Sequence, residues 1–197
     1  MLGSAGGHDA VFGAGKAGLV VAWDRSTHER LWQTEVGVHR NDRGPLPRRP
    51  VTVCPGLLGG VETPMASADG RLYVPVVDLC ARGSAVGFQP LESVDPSRGR
   101  GELIALDAAS GRELWTLRLP QPVFGCATAA DGVVFTATFD GKVYAVGADD
   151  GRVLWSASLR AGVNACPALA SGTLLVGAGA PTGRGGARLE LTAFRLP

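Results

Sequence analysis

Apolar residues along this chain fall in short runs set between polar turn pairs. After Asp69-Gly70, Asp131-Gly132 and Ser171-Gly172 come three β-rich runs at residues 72–77, 133–138 and 173–178, blocks of the length and residue type that read as strands. Ahead of each turn pair lies a run of small apolar residues, 61–67, 123–129 and 163–169. A third phrase recurs: Gly18-Leu-Val-Val-Ala-Trp-Asp24 with Trp32, Gly101-Glu-Leu-Ile-Ala-Leu-Asp107 with Gly111 and Trp115, and Gly141-Lys-Val-Tyr-Ala-Val-Gly147 with Gly151 and Trp155. Each copy sets Ala four residues after its first Gly and Trp ten residues after that Ala, and the last two tryptophans stand 40 residues apart. That period is the length of one four-stranded unit of a repeat architecture. Each unit therefore reads as a small-residue inner strand, a β-rich second strand, the Gly-to-Asp phrase as the third, and a fourth that carries Trp.

Composition agrees with many short strands and adds little chemistry. Gly contributes 29 and Pro 13 of the 197 residues, so tight turns are frequent. In Asp107-Ala-Ala-Ser-Gly111 the carboxylate caps the turn and Gly takes the left-handed conformation that closes the hairpin. His28 stands at the Gly position of the first copy, where a side chain at positive φ costs roughly 1 kcal/mol. A formal net charge of +1 with scattered basic residues leaves no footprint for nucleic acid. No apolar run approaches the length of a transmembrane segment, and the start, Met1-Leu-Gly-Ser-Ala-Gly-Gly, lacks the charged and apolar regions of a signal peptide.

The pattern Ala-x-Asp-x-x-x-Gly-x-x-x-Trp resembles the pyrroloquinoline-quinone-type (PQQ-like) propeller repeat of quinoprotein alcohol dehydrogenases and of non-enzymatic relatives such as the outer-membrane assembly lipoprotein. Ala105, Asp107, Gly111 and Trp115 match it fully; Ala145, Gly151 and Trp155 match with Gly147 where Asp is usual; Ala22, Asp24 and Trp32 match with His28 where Gly is usual. The resemblance implies an all-β fold, a partial β-propeller of about three to four four-stranded antiparallel blades, with the tryptophans packed between neighbouring blades. It also implies a periplasmic, extracellular or membrane-associated location. Residues 1–197 read as one domain: blade 1 over about 9–36 with its inner strand absent, blade 2 over about 61–118, blade 3 over about 123–158, and blade 4 over about 163–197, ending after a third strand. Family rings have seven or eight blades, so the chain reads as the C-terminal part of such a ring, its open edges filled by the missing half or by a second copy.

Two long segments, 37–60 leading into the second blade and 79–100 between its second and third strands, flank that blade. Strand alternation brings both out on one face, where they are expected to form a single lid, joined there by the shorter loop at 181–186. Long loops in compact folds are commonly functional. Cys54 and Cys80 sit in or beside the two insertions and are a disulfide candidate, whereas Cys126 and Cys166, at equivalent positions of neighbouring inner strands, read as buried thiols beyond bridging distance. No Cys-x-x-Cys spacing points to zinc.

Candidate rim residues for a ligand are His39, Asn41 and Asp42 in the first insertion, and Glu62, Phe124 and Asn164, which share one aligned position at the channel mouth. Position-specific variety on a repeating frame is the mark of a binding rim, and solvated loop ends show the same variety. No nucleophile, base and orienting group assemble into a catalytic set, and no metal site is assigned. Three readings follow: a non-enzymatic scaffold or binding module that displays its loop-rich face to a protein, peptide or glycan partner; the C-terminal half of a PQQ-dependent dehydrogenase; or a purely structural module of a larger extracytoplasmic protein. PQQ and calcium belong only to the second; the Glu62 and Asn164 pair superficially resembles the oxygen ligands that a hard cation such as calcium takes. The adjacent cysteine pair of such dehydrogenases is not in this sequence.

Overall fold

The computed structural model describes residues 1–180 and 189–195. Strands β1 (Leu2–Ala5), β2 (His8–Gly15), β3 (Leu19–Asp24) and β4 (Arg30–Glu35) form the first antiparallel sheet in that order. Strand β5 (Val51–Val53) lies in the first insertion. The second sheet opens with β6 (Ala66–Ala68) and β7 (Arg71–Asp78), is interrupted by β8 (Ala81–Ser84) and β9 (Gly87–Phe88) of the second insertion, and closes with β10 (Arg100–Asp107) and β11 (Glu113–Leu119). The third sheet is β12 (Thr128–Ala130), β13 (Val133–Ala137), β14 (Lys142–Gly147) and β15 (Val153–Ser158). The fourth, β16 (Ala168–Ala170), β17 (Thr173–Ala178) and β18 (Glu190–Arg195), has three strands among the described residues. In the described residues no helix is long and apolar enough to cross a membrane.

Alternation along each strand sends one set of side chains to each neighbouring sheet, and the core accordingly divides into three layers. Phe12, Val20 and Ala22 of the first sheet meet Leu72, Val74, Ile104 and Leu106 of the second. Tyr73, Leu103 and Ala105 meet Val134, Tyr144 and Val146 of the third, and Ala137 and Val143 meet Val163, Leu174 and Val176 of the fourth. The sheets are blades packed face to face, as the repeat length implied.

The repeat residues form the joints between blades. Trp32 of the first blade donates its indole N–H to the carbonyl of Ala108 in the second at 3.0 Å, and Trp115 does the same to Ala148 in the third at 3.0 Å. Each ring lies against the glycine that closes the receiving turn: a Cβ on Gly111 would stand 2.5 Å from Trp32 Cε3, and one on Gly151 would stand 2.7 Å from Trp115 Cε3. Both glycines have positive φ, 71° and 70°. Asp24 and Asp107 cap their turns as read from the sequence, Asp24 Oδ1 accepting from the N–H groups of Ser26 and Thr27 and Asp107 Oδ1 from that of Ser110. The N–H of Thr27, the His8 ring and the N–H of Ser26 hold the Asp24 carboxyl down to about 2. In the third copy, with Gly147 in place of Asp, Asp150 Oδ1 stands 2.7 Å from where a Cβ would lie and accepts from the N–H of Arg152 at 3.0 Å.

His28 takes φ 62° at the position of Gly111 and Gly151. Its side chain is exposed and gains nothing there that offsets the left-handed backbone. His28→Gly is therefore expected to stabilise the protein by about 0.5–1 kcal/mol, read as a higher urea midpoint at unchanged slope.

Three expectations change. The first blade has an inner strand after all: β1 pairs with β2 from Leu2↔Val11 to Ala5↔His8 across the Gly6-Gly7 turn, whose two residues both have positive φ. The hairpin turn and the backbone ladder make this strand, although its residues carry little apolar signal. The inner strands of the other blades are shorter than read: Gly60 and Gly125 still bond to Val77 and Ala137 of their own blades at 2.9 Å, but the ladder is broken near them by bonds to the neighbouring blade. The N–H of Ala127 donates to Pro64 O at 3.2 Å and that of Val61 to Gly15 O at 3.1 Å, and Thr128 Oγ1 donates to Pro167 O at 2.6 Å. The same convergence brings Cys126 and Cys166 to a Cα–Cα distance of 4.5 Å, where they are bonded as a disulfide.

Candidate functional site

The two insertions meet. β5 of the first pairs with β8 of the second, β8 pairs with β9, and the three strands make a small separate sheet. At its root Cys54 is bonded to Cys80, with Cα atoms 4.5 Å apart. Polar side chains lace the same seam: Arg82 Nη2 donates to Pro50 O at 2.7 Å and Asn41 Nδ2 to Thr52 O at 2.8 Å. Exposed apolar residues cap it, with Val86 at the hairpin tip 90 % exposed and Phe88 and Leu91 beside it. The loop at 181–186 lies outside the described residues.

The first insertion is fastened to the blades by charge. His39 Nδ1 stands 2.5 Å from Asp42 Oδ2, and Nε2 lies against Gly18, where a Cβ would stand 2.9 Å away. Arg43 pairs with Glu35 of β4. The N–H of Val38 donates to Asp78 Oδ1 at 2.9 Å. Lys16, from the β2–β3 turn, donates to Leu57 O at 2.8 Å and pairs with Glu62 at 3.1 Å. Burial works against a charged His39, but the Asp42 hydrogen bond and charge, with Glu35 and the Gly18 backbone, outweigh it and raise the imidazole above its ordinary pKa. The His39 hydrogen bond lowers Asp42 in turn. Burial raises the carboxyls of Asp78 and Glu102 at the end of the second blade; Asp78 adds to the effect on Glu102, and Arg118 opposes both.

These shifts fix the pH window of the fastening. A raised His39 contributes stability that is complete below the ordinary imidazole pKa and lost as pH rises through its folded value; a lowered Asp42 contributes stability lost as pH falls through its own. Amide protection factors across residues 37–60, taken relative to the intrinsic rate at each pH, are therefore expected to be highest between those limits. Asp42→Asn should bring the His39 pKa back toward 6.5, as followed by the imidazole proton shifts in an NMR titration.

The candidate residues separate into different places. His39, Asn41 and Asp42 stand together on the insertion. Glu62 lines a cleft of about 500 Å3 between the first two blades, with Phe12, Val61 and Met65 as its apolar wall. Phe124 packs edge-on against Phe139 at 5.4 Å between ring centroids. Asn164 lines a separate open cleft of about 400 Å3 on the fourth blade with Gly177 and Leu191. The donor set for a quinone-associated hard cation does not assemble from these residues, because Glu62 and Asn164 lie two blades apart in separate clefts. Lys16, Glu35 and Asp78 were absent from the sequence reading. Asp78 alone left a sign there, as the charged residue ending an otherwise apolar strand just before an insertion.

A family model described as outer membrane protein assembly factor BamB matches residues 16–196. No curated protein matches the chain at a significant level. Among solved structures the chain is similar to a europium-containing methanol dehydrogenase, with a TM-score of 0.71 at 21 % identity over 91 % of this chain and 38 % of that one. It is similar to the quinohemoprotein alcohol dehydrogenase ADHIIG from Pseudomonas putida HK5, with a TM-score of 0.69 at 21 % identity over 90 % of this chain and 33 % of that one. The computationally designed Ika4 protein gives a TM-score of 0.57 at 11 % identity over 95 % of this chain and 86 % of that one. The chain thus spans 33–38 % of the length of these dehydrogenases, and at these identities the likeness is one of fold.

Proposed function

The chain belongs to the family of the outer membrane protein assembly factor BamB, and from that premise we propose that it is a non-enzymatic propeller scaffold whose stapled insertion sheet binds a protein or peptide partner outside the cytoplasm. One observation carries the reading: two long insertions that could each have stayed a loose loop are joined into one sheet, cross-linked at the root and apolar at the tip. Ordering such a surface before contact removes part of the entropy that binding would otherwise cost. A short edge strand beside exposed Val86 and Phe88 suits an extended segment added by backbone pairing, with side-chain pockets for selection. Pairing of all four cysteines supports an oxidising compartment. The dehydrogenase reading draws less support, since Glu62 and Asn164 lie in separate clefts.

The test is site-specific photocrosslinking in cells, with the probe at Phe88 and, as a control, at Glu113 on the far edge of the second blade. A discrete adduct from Phe88 alone is the expected result. Equal adducts from both positions, or none from Phe88, would reject the insertion sheet as the binding surface. Replacing Cys54 and Cys80 together by serine is expected to destabilise the protein by about 2 kcal/mol, at the low end for a closed loop of this size because the three-stranded sheet still holds the segments. Thermal denaturation of the double variant against the parent protein, both without reductant so that Cys126–Cys166 stays closed, checks the value.

A further inference from the structure

Charge is shared unevenly between the insertions and the blades. Residues 37–60 and 79–100 hold seven arginines against three acidic residues, whereas the rest of the chain holds twelve basic residues against fifteen acidic ones. The near-neutral total hides this asymmetry. Folding concentrates it, because the two segments that carry the positive excess are the two that pair into one sheet.

The arginines beside that sheet are not neutralised internally. Arg43 is paired with Glu35, and Arg98 lies near Asp95. Arg48, Arg49 and Arg82 have no carboxylate within ion-pair distance among the described residues, and all three are exposed. The backbone gathers them. The N–H of Ala85 donates to Pro47 O at 2.9 Å and Arg82 Nη2 to Pro50 O at 2.7 Å, so the run that contains Arg48 and Arg49 is tied to the β8–β9 hairpin at both ends. Arg82 Nη1 also donates to Thr52 Oγ1 at 3.4 Å, which holds the guanidinium against the sheet. A planar cation fixed in this way is ready to receive a carboxylate.

The small sheet also sorts its side chains by face. Val51 stands opposite Gly83, Gly83 opposite Phe88, and Thr52 opposite Arg82, so Val51, Val53 and Phe88 share one face while Thr52 and Arg82 share the other. The N–H of Gln89 donates to Arg82 O at 2.9 Å. Alternation along the antiparallel ladder then turns the N–H and C=O of Phe88, one residue earlier, away from β8. A strand added at that edge lays successive side chains over the Phe88 face and the Arg82 face in turn.

We propose, resting on the partner-binding reading above, that the insertion sheet takes an extended peptide segment in which acidic residues alternate with apolar ones. Its carboxylates meet Arg82, Arg48 and Arg49, and its apolar side chains cover Phe88. A peptide fits the charge distribution better than an anionic membrane does. A surface broad enough to reach the blades also meets their excess of acids, whereas a single strand on the insertion meets only the positive part.

The experiment is fluorescence anisotropy of the full chain with labelled peptides of about ten residues. One alternates glutamate with valine, a second alternates lysine with valine, and a third has the composition of the first rearranged into an acidic block and an apolar block. Only the alternating glutamate peptide is expected to bind, more weakly as salt rises from about 50 to about 500 mM. Arg82→Gln should raise its Kd about tenfold. Arg48→Gln combined with Arg49→Gln should raise it about fivefold, and this variant alters exposed side chains, so it reads the charge even if Arg82→Gln loosens the segment. Arg112→Gln, which removes a charge from a blade turn, should leave the Kd within about twofold. Equal binding of the lysine or the block peptide, an affinity unmoved by salt or by the double variant, or arginine-dependent binding to vesicles of phosphatidylglycerol and phosphatidylcholine with none to the glutamate peptide would overturn the proposal. A Phe88 adduct in cells without glutamate-peptide binding would remove the acidic partner and spare the binding surface.

Discussion

Replacing Gly111 by alanine is expected to destabilise the protein by about 3 kcal/mol, in two parts with separate causes. The first is the backbone: at φ 71° an L-residue is held in the left-handed region, at a cost of roughly 1 kcal/mol. The second is the joint. The new methyl would stand 2.5 Å from Trp32 Cε3 and 2.7 Å from Thr34 Oγ1, so the indole must retreat, and with it go the hydrogen bonds to Ala108 O and from Thr34 to Gly111 O. Overpacking of this kind adds about 2 kcal/mol. Gly132→Ala separates the parts, since Gly132 has φ 75° and no atom within 4 Å of the methyl position; it should cost only about 1 kcal/mol. Urea unfolding of both variants under one set of conditions gives the comparison. Equal losses would show that blade joining at Trp32 does not depend on the space Gly111 leaves.

Trp115→Ala is expected to be costlier still, about 4 kcal/mol. The side chain spans the second and third blades, packing against Tyr73 at 6.0 Å between centroids, resting on Gly151 and satisfying the Ala148 carbonyl. Removal leaves a cavity in the middle core layer and that carbonyl without its donor. Trp155 is the internal control. It occupies the same place in its repeat but is 40 % exposed and meets Phe194 edge-on at 4.9 Å, so Trp155→Ala should cost about 1–2 kcal/mol. The order Trp115 well above Trp155, measured by thermal denaturation, tests whether the motif acts through the blade that receives it. Similar losses would assign its worth to the blade that bears it.

The spacing of Ala, Asp, Gly and Trp made the fold legible because every one of those residues answers a local geometric demand: a close approach, a cap, a left-handed turn, a ring seated on the next sheet. What escaped was structure supplied by partners distant in the chain. Strand β1 has only Leu2 and Ala5 as apolar markers, and its ladder with β2 is what makes it a strand. Cys126 and Cys166 lie 40 residues apart, and nothing in either segment reveals that neighbouring inner strands draw together at their ends. The candidate site divides in the same way. His39 and Asp42 are three apart and their pairing could be anticipated from adjacency, whereas the Lys16–Glu62 contact crosses from one blade to the next, and alignment of Glu62 with Phe124 and Asn164 captured a shared place in the repeat but no shared environment.

The Cys54–Cys80 cross-link lies where both insertions leave the second blade, and β7 and β10 pair continuously beneath it from Arg100↔Asp78 to Asp107↔Arg71. Tip and wheel are thereby insulated from each other. The hairpin around Val86 can trade residues, lengthen or be grafted from another sequence with no change to the blade that carries it, which turns the pair of insertions into an exchangeable cassette on a standing frame.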